Sequence, residues 1–267
     1  MQILSIGNTD YDFPETWNEV KLHQYQKLEK SNLSGLTILN QYKTILNCIG
    51  DIPNNLIRGI KPNSLIQLVD LVEPFRNDFA EPMFNNIIEI KGSKYGVIQE
   101  MDELTFGEFV DIEHFINLNQ AGLIQNLHKI LAVLYRPINQ LRKDSYSISN
   151  YISESNKDFE NRAELFRTEF PVRFASGGLI FLLGFRTQVF ADYSSMFSAS
   201  NSKPGFGKGE QESANFSRKW NWYSAKMILA NDNILNLEDV NGLGLFKCLN
   251  YLSYLRDKQT VQKQTMK

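Results

Sequence analysis

The sequence predicts a mainly α, multi-helix globular fold with one small β-hairpin. Apolar residues recur at helical spacing along most of the chain. One segment, 87–98, switches to short β-prone runs around a turn. The 267 residues are 42% apolar and 22% charged, enough to bury a substantial core in one large domain or two ordinary ones.

Residues 1–16 read as an extended lead-in, and Gln2–Ile6 is apolar enough to add a third strand to the hairpin. Thr16 or Asn18 is placed to cap a helix whose face is Leu22, Tyr25 and Leu28. A second helix over 35–49 turns Leu36, Leu39, Tyr42, Ile45, Leu46 and Ile49 inward, with Gly50 as its stop. Asp51 and Pro53 open a short helix. Another follows Lys61, buries Leu65, Leu68, Val69 and Val72, and stops at Pro74.

The hairpin pairs Ile87–Ile90 with Tyr95–Ile98 around Lys91–Lys94. Thr105 and Glu108 have capping-box spacing before a helix that ends near Leu118. Residues 121–135 form the next helix, with a stripe of Leu123, Leu127, Ile130, Leu131 and Leu134, ended by Pro137. Ser, Asn and Tyr fill a linker at 138–153, which divides an N-terminal domain, 1–137, from a C-terminal one, 154–257.

In the second domain, the charged helix at 154–167 reads as solvent-facing. Gly177-Gly178 is placed to kink or break the apolar stretch 168–192. Residues 194–215 read as a mobile loop, too polar and glycine-rich to order themselves. Helices follow at 216–230 and 243–257, and 258–267 reads as a frayed tail.

Two helix openings echo each other. Counted from Glu19 and from Glu103, apolar residues fall at offsets 1, 3, 6 and 9. The sets are Val20, Leu22, Tyr25, Leu28 and Leu104, Phe106, Phe109, Ile112. A third opening, from Asp239, matches with one residue inserted. Ordinary amphipathic starts and a duplicated helical unit both account for this.

A formal net charge of -2 gives no global pull toward nucleic acid or an anionic membrane. The Met1–Gly7 start has no basic region or long apolar stretch, so no signal peptide is expected. The most apolar run, Leu179–Phe185, falls well short of the ~20 residues a bilayer needs, so no membrane span is expected. Cys48 and Cys248 sit in apolar runs and read as buried thiols in a reducing compartment.

No catalytic, metal or cofactor site is legible. His23, His114 and His128 lack zinc-helix spacing, and no Gly-x-Ser-x-Gly elbow occurs. Glu108, Asp111 and Glu113 read as an ordinary polar helix face. The Gly205–Gly209 run lacks the Gly-Lys-Ser/Thr of a phosphate loop; Phe206 within it reads as an anchor that orders against a partner. In Arg218–Tyr223, Trp220 and Tyr223 share a face that reads as core, leaving Arg218 and Trp222 as interface candidates.

The segments Thr16–Tyr25, Leu104–Asp111 and Leu127–Ile138 resemble proteins of tailed bacteriophages, those of crAss-like and related Bacteroidetes phages above all. The ending, Ile228–Leu235 with Leu249–Leu252, is similar to the helical C-terminal parts of tail assembly chaperones. The resemblance touches about half the chain and implies a non-enzymatic structural or assembly protein. It is then a virion component near the portal and tail, a chaperone absent from the virion, or capsid cargo. Its partners are other phage structural proteins, with a homo-oligomer or ring among the arrangements, and its place is the host cytoplasm during assembly or the virion itself. Tyr135 and Arg136, within the third segment, join Phe206, Arg218 and Trp222 as interface candidates. The competing reading, an enzyme of unrecognised type, requires polar groups clustered in a pocket around His114 and His128.

Overall fold

The computed structural model describes residues 1–77, 81–97, 101, 103–138, 156–197, 220 and 222–265. The fold is mainly α-helical, as the patterning predicts. Packing draws two units: Met1–Val97 with Phe115–Phe181, and Ile98–His114 with Leu182–Lys267. This partition differs from a division at 138–153, because residues up to Phe181 pack with the N-terminal part. The linker expected there falls almost wholly outside the described residues.

In the first unit the lead-in is a hairpin. β1 (Gln2–Ile6) pairs antiparallel with β2 (Thr9–Phe13). Gly7, at φ 65, takes the left-handed position that a two-residue hairpin loop demands. β1 therefore does not join the second hairpin. That one pairs β3 (Ile87–Ile90) with β4 (Ser93–Val97) through Lys91 and Gly92, both at positive φ. Its third strand is β5 (Tyr135–Pro137), in the order β3-β4-β5. Proline is tolerated there because β5 is an edge strand.

Helices α1 (Leu22–Ser31) and α2 (Ile38–Ile49) follow the first hairpin. The Thr37 hydroxyl caps α2 by accepting from the Asn40 N–H at 3.4 Å. A Cβ on Gly50 would lie 2.6 Å from the Phe13 ring, so the helix stop is also the seat of a core aromatic. Leu36 and Leu39, expected inward, are exposed; only the last two turns of α2 reach the core. The segment after α2 is cut finer than its periodicity suggests, into α3 (Asn54–Arg58), α4 (Pro62–Ile66), α5 (Val69–Val72) and α6 (Pro74–Asn77). Pro74, read as a stop, opens α6 at its first position, where its missing N–H is harmless.

The core here joins Phe13, Trp17, Val20, Ile45, Ile49 and Phe75. Phe75 receives Phe13 edge-on at 5.7 Å and Trp17 at 5.4 Å. The Trp17 indole N–H donates to the Pro74 carbonyl at 3.0 Å, so the ring is buried without an orphaned donor.

The capping box predicted at Thr105 and Glu108 opens α7 (Phe106–Ile116), with bonds of 2.8 and 3.2 Å. The stripe predicted over 121–135 lies on α8 (Gln120–Leu134). α9 (Asn156–Glu169) corrects the solvent-facing reading. Ala163 and Phe166 are buried, and so is Arg162, whose Nη2 donates to the Ala132 carbonyl at 2.9 Å. A high charge count hid a stripe made of one large ring and one small residue.

α10 (Val172–Asp192) runs unbroken through Gly177-Gly178. Those glycines admit neighbours instead of breaking the helix. A Cβ on Gly177 would lie 2.2 Å from the Met83 carbonyl oxygen, and one on Gly178 2.9 Å from Leu131. By length and composition α10 is long and apolar enough to cross a membrane. The sequence reading missed this by ending the apolar run at Arg186. Arginine is a good helix former, so the helix continues through Arg186, which is paired with Glu113.

The described part of the second unit also contains α11 (Ser194–Phe197), the helical stretch 222–229 (α12), α13 (Leu237–Asn241) and α14 (Leu245–Thr265). α14 continues through the tail expected to fray.

One device stands in both units. Where α1 begins, Leu22 N–H donates to Phe170 O at 2.9 Å; where α10 begins, Val172 N–H donates back to Val20 O at 2.9 Å. In the other unit Phe106 N–H, opening α7, donates to Leu243 O at 2.7 Å, and Leu245 N–H, opening α14, to Leu104 O at 2.8 Å. Each pair forms an isolated antiparallel bridge, Lys21 with Pro171 and Thr105 with Gly244. The third residue of each first helix reaches back: Gln24 accepts from the Lys21 N–H at 2.7 Å as Glu108 does from the Thr105 N–H at 2.8 Å. The offset match in the sequence thus marks a repeated local structure.

Gly177→Ala should lose ~2–4 kcal/mol of unfolding free energy, because the methyl would overlap backbone. Gly184→Ala, with nothing within 4 Å, should gain up to ~1 kcal/mol from helix propensity. Urea unfolding followed by circular dichroism measures both.

Candidate protein-interaction surface

The second unit displays large apolar side chains on ordered backbone. α12 explains one set. Trp222 is half-buried, with edge-on contacts to Phe109 at 5.4 Å and Phe106 at 6.0 Å. Trp220 and Tyr223 share the opposite face and are exposed, their rings 5.6 Å apart. The facing is therefore the reverse of the sequence reading. Both faces carry aromatics, and only the distant partners Phe106 and Phe109 decide which turns inward.

The second set sits where α12 ends. Asn231 and Asp232 take positive φ, 54 and 55, and the chain reverses through bonds from Asp232 N–H to Met227 O at 2.9 Å and Asn231 N–H to Ile228 O at 3.1 Å. These satisfy the last carbonyls of the helix, with asparagine in the place usually given to glycine. Asn233 then caps a 3₁₀ turn, its side-chain oxygen accepting from Leu235 N–H at 3.1 Å. Asn236 ties the turn back to Ala230 O at 3.2 Å. The result holds Ile234 65% and Leu235 84% exposed, with Ile228 exposed as well. Covering a side chain of this size is worth ~1.5–3 kcal/mol, so a fixed, uncovered pair is a ready contact.

A third set lies on α14, where Tyr251, Tyr254 and Val261 are exposed. The inner face of that helix holds Leu245, Cys248, Leu249 and Leu252.

Of the residues predicted for an interface, Phe206 and Arg218 lie outside the described residues, as does most of the 194–215 loop. Trp222 belongs to the packing just described. Tyr135 is a correction. It is fully buried, its hydroxyl donating to Asn85 O at 2.7 Å and its ring meeting Phe170 at 5.6 Å, so it offers nothing to a partner. Arg136 is half-buried on β5, opposite Gly96. Ile234 and Leu235 are candidates that the sequence reading did not single out. Their signal was Asn-Asp-Asn, three turn-formers, followed directly by two branched aliphatics.

Several of the described ionisable groups are engaged in structure. Glu113, read as part of a polar face, is 1% exposed and accepts from Arg186 Nε and, at 3.1 Å, from Arg186 Nη2. The guanidinium also lies 4.4 Å over the Phe190 ring. Burial raises the Asp51 carboxyl, but bonds from His23 and Lys27 outweigh it and hold the group below its usual range. Burial pushes the Cys48 thiol up and the Cys248 thiol up to about 11, which suits neither to nucleophilic work at neutral pH. Burial likewise lowers His128 to about 4; its ring nitrogen lies 3.4 Å from Gln26. Among the described residues, no group of three or more His, Cys, Asp or Glu is placed to hold a metal ion.

His128 should make the fold acid-sensitive. Its folded pKa lies below its unfolded value, so its neutral form stabilises fully above pH ~6.5, and stability falls as pH drops toward ~4. His128→Gln should flatten that window, removing on the order of 1–2 kcal/mol of the loss after solvent screening, as read by urea unfolding at pH 7 and pH 4.5. Trp222→Ala should cost ~3–5 kcal/mol and exposed Trp220→Ala under ~1 kcal/mol, which thermal unfolding compares directly.

No family model, curated protein or solved structure matches this chain.

Proposed function

We propose that this chain is a non-enzymatic protein that works through protein–protein contacts, and that it does so in the assembly or the virion of a tailed phage. The observation that supports contact work is the Ile234–Leu235 turn. Two large aliphatics stand in water on backbone that four asparagine and aspartate residues tie down. A rigid apolar projection loses little entropy on docking, so most of its burial counts toward affinity. The phage setting rests on the sequence resemblance alone. In it, the partners are other phage structural proteins, met in the host cytoplasm during assembly.

Tagged chain recovered from infected cells and cross-linked should carry a defined set of phage structural proteins. Leu235→Asp should reduce their recovery about tenfold or more, in keeping with the loss of a ~1.4 kcal/mol contact or better. Unchanged recovery with Leu235→Asp, or recovery of no phage protein, would overturn the reading. Mass spectrometry of purified virions then separates a virion component, present at fixed copy number, from a chaperone, which is absent.

A further inference from the structure

The first hairpin has one guarded edge and one open edge. Strands flanking a two-residue loop exchange both backbone bonds at the closing pair and at every second pair after it. Ile6 with Thr9, Leu4 with Tyr11 and Gln2 with Phe13 are those pairs. The N–H and C=O groups of Ile3 and Ser5 therefore point away from β2, and among the described residues no backbone bond from another element reaches them. On the far edge the same holds for Asp10 and Asp12, whose charges are the usual protection of an unpaired strand. β1 carries no charge at all along Gln2–Ile6, and Ile3 is 66% exposed.

We propose that β1 is a docking edge for β1 of a second copy of this chain. The pairing is antiparallel about a two-fold axis through Leu4. Ile3 bonds Ser5 of the second copy, Ser5 bonds its Ile3, and the two hairpins become one four-stranded sheet. Charge selects this occupant. Pairing β1 with β2 of another copy would set Ile3 beside Asp10 or Asp12 and propagate head to tail; pairing β2 with β2 would oppose carboxylates. Only β1 with β1 is uncharged on both sides, self-complementary and closed at a dimer. The side-chain pattern agrees. Ile3, Ser5, Asp10 and Asp12 share the solvent face, so Ile3 gains cover from the neighbouring Ser5 of the second copy while the aspartates stay in water. Leu4 and Ile6, on the other face, already pack on the core and would meet Leu4 of the second copy. The edge is short, so the dimer should be weak, with a Kd of about 10 µM to 1 mM.

Sedimentation equilibrium from about 10 µM to about 1 mM tests this together with amide hydrogen exchange. The expected result is a monomer–dimer equilibrium in which the Ile3 and Ser5 amides become protected as concentration rises while those of Asp10 and Asp12 do not. Ile3→Lys sits opposite Asp12 and should leave the hairpin intact, yet weaken the dimer at least about tenfold. Ser5→Pro removes one outward donor and should do the same; circular dichroism shows that each variant folds. A monomer at every loading overturns the proposal. So does a dimer that keeps its affinity in folded Ile3→Lys, or one in which the Ile3 and Ser5 amides stay unprotected. Leu235→Asp should leave this equilibrium unchanged, which keeps the test separate from that of the projecting turn.

Discussion

The reciprocal main-chain bridge at the helix openings is the constraint on which the rest of this fold depends. The first N–H groups of a helix have no partner inside it. Here two helices solve that problem for each other, each opening residue donating to the carbonyl two residues before the other's start. The bonds join residues about 140 to 150 positions apart in sequence, Leu22 with Phe170 and Phe106 with Leu243. They fix where the helices begin. The apolar offsets counted from Glu19 and Glu103 then place Val20, Leu22 and Leu28, and Leu104, Phe106, Phe109 and Ile112, inward. Closing such long loops is entropically costly, and the buried aromatics beside the bridges offset it: Phe170 against Phe166 and Tyr135 in one unit, Phe106 and Phe109 against Trp222 in the other.

Part of the local chemistry was legible in the sequence. Gly50 ends α2, and Thr105 with Glu108 closes a box, because each needs only its own neighbours. The hairpin at 87–98 is of the same kind. Two local readings failed: α1 takes Lys21 as its N-cap in place of Thr16 or Asn18, and the lead-in closes into its own hairpin. The other failures were choices settled by distant partners. α9 looked solvent-facing until Ala163 and Phe166 found α8 and the β-sheet. Gly177-Gly178 looked like a break because nothing in the sequence says that the Met83 backbone passes that close. β5 is three residues long, starts at the end of a helix and holds a proline, so no local pattern announces it.

The candidate surface shows the same division more sharply. Asn231, Asp232 and Asn233 announce a turn, and the turn is where they place it. That the two residues after it stay uncovered is a property of the whole unit. The α12 aromatics are the harder case. A helix with Trp220 and Tyr223 on one face and Trp222 on the other has no single apolar side, so periodicity ranks the faces equally and Phe106 and Phe109, more than a hundred residues away in sequence, break the tie.

Titratable groups and apolar side chains divide the molecule's work between them. Glu113 with Arg186, and Asp51 with His23 and Lys27, use their charges on each other, and the two thiols are held protonated by burial. Groups so committed are poor reagents, since a catalytic base or nucleophile must stay free to exchange a proton near neutral pH. The uncommitted free energy lies instead in uncovered hydrocarbon and open main chain: Ile234, Leu235, Tyr251 and Tyr254 in one unit, Ile3 and its strand edge in the other. Hydrocarbon gains by being covered and an open strand edge by being paired, and a second protein surface supplies both. Ile234, Leu235 and the β1 edge are thus described features that a second protein surface would stabilise.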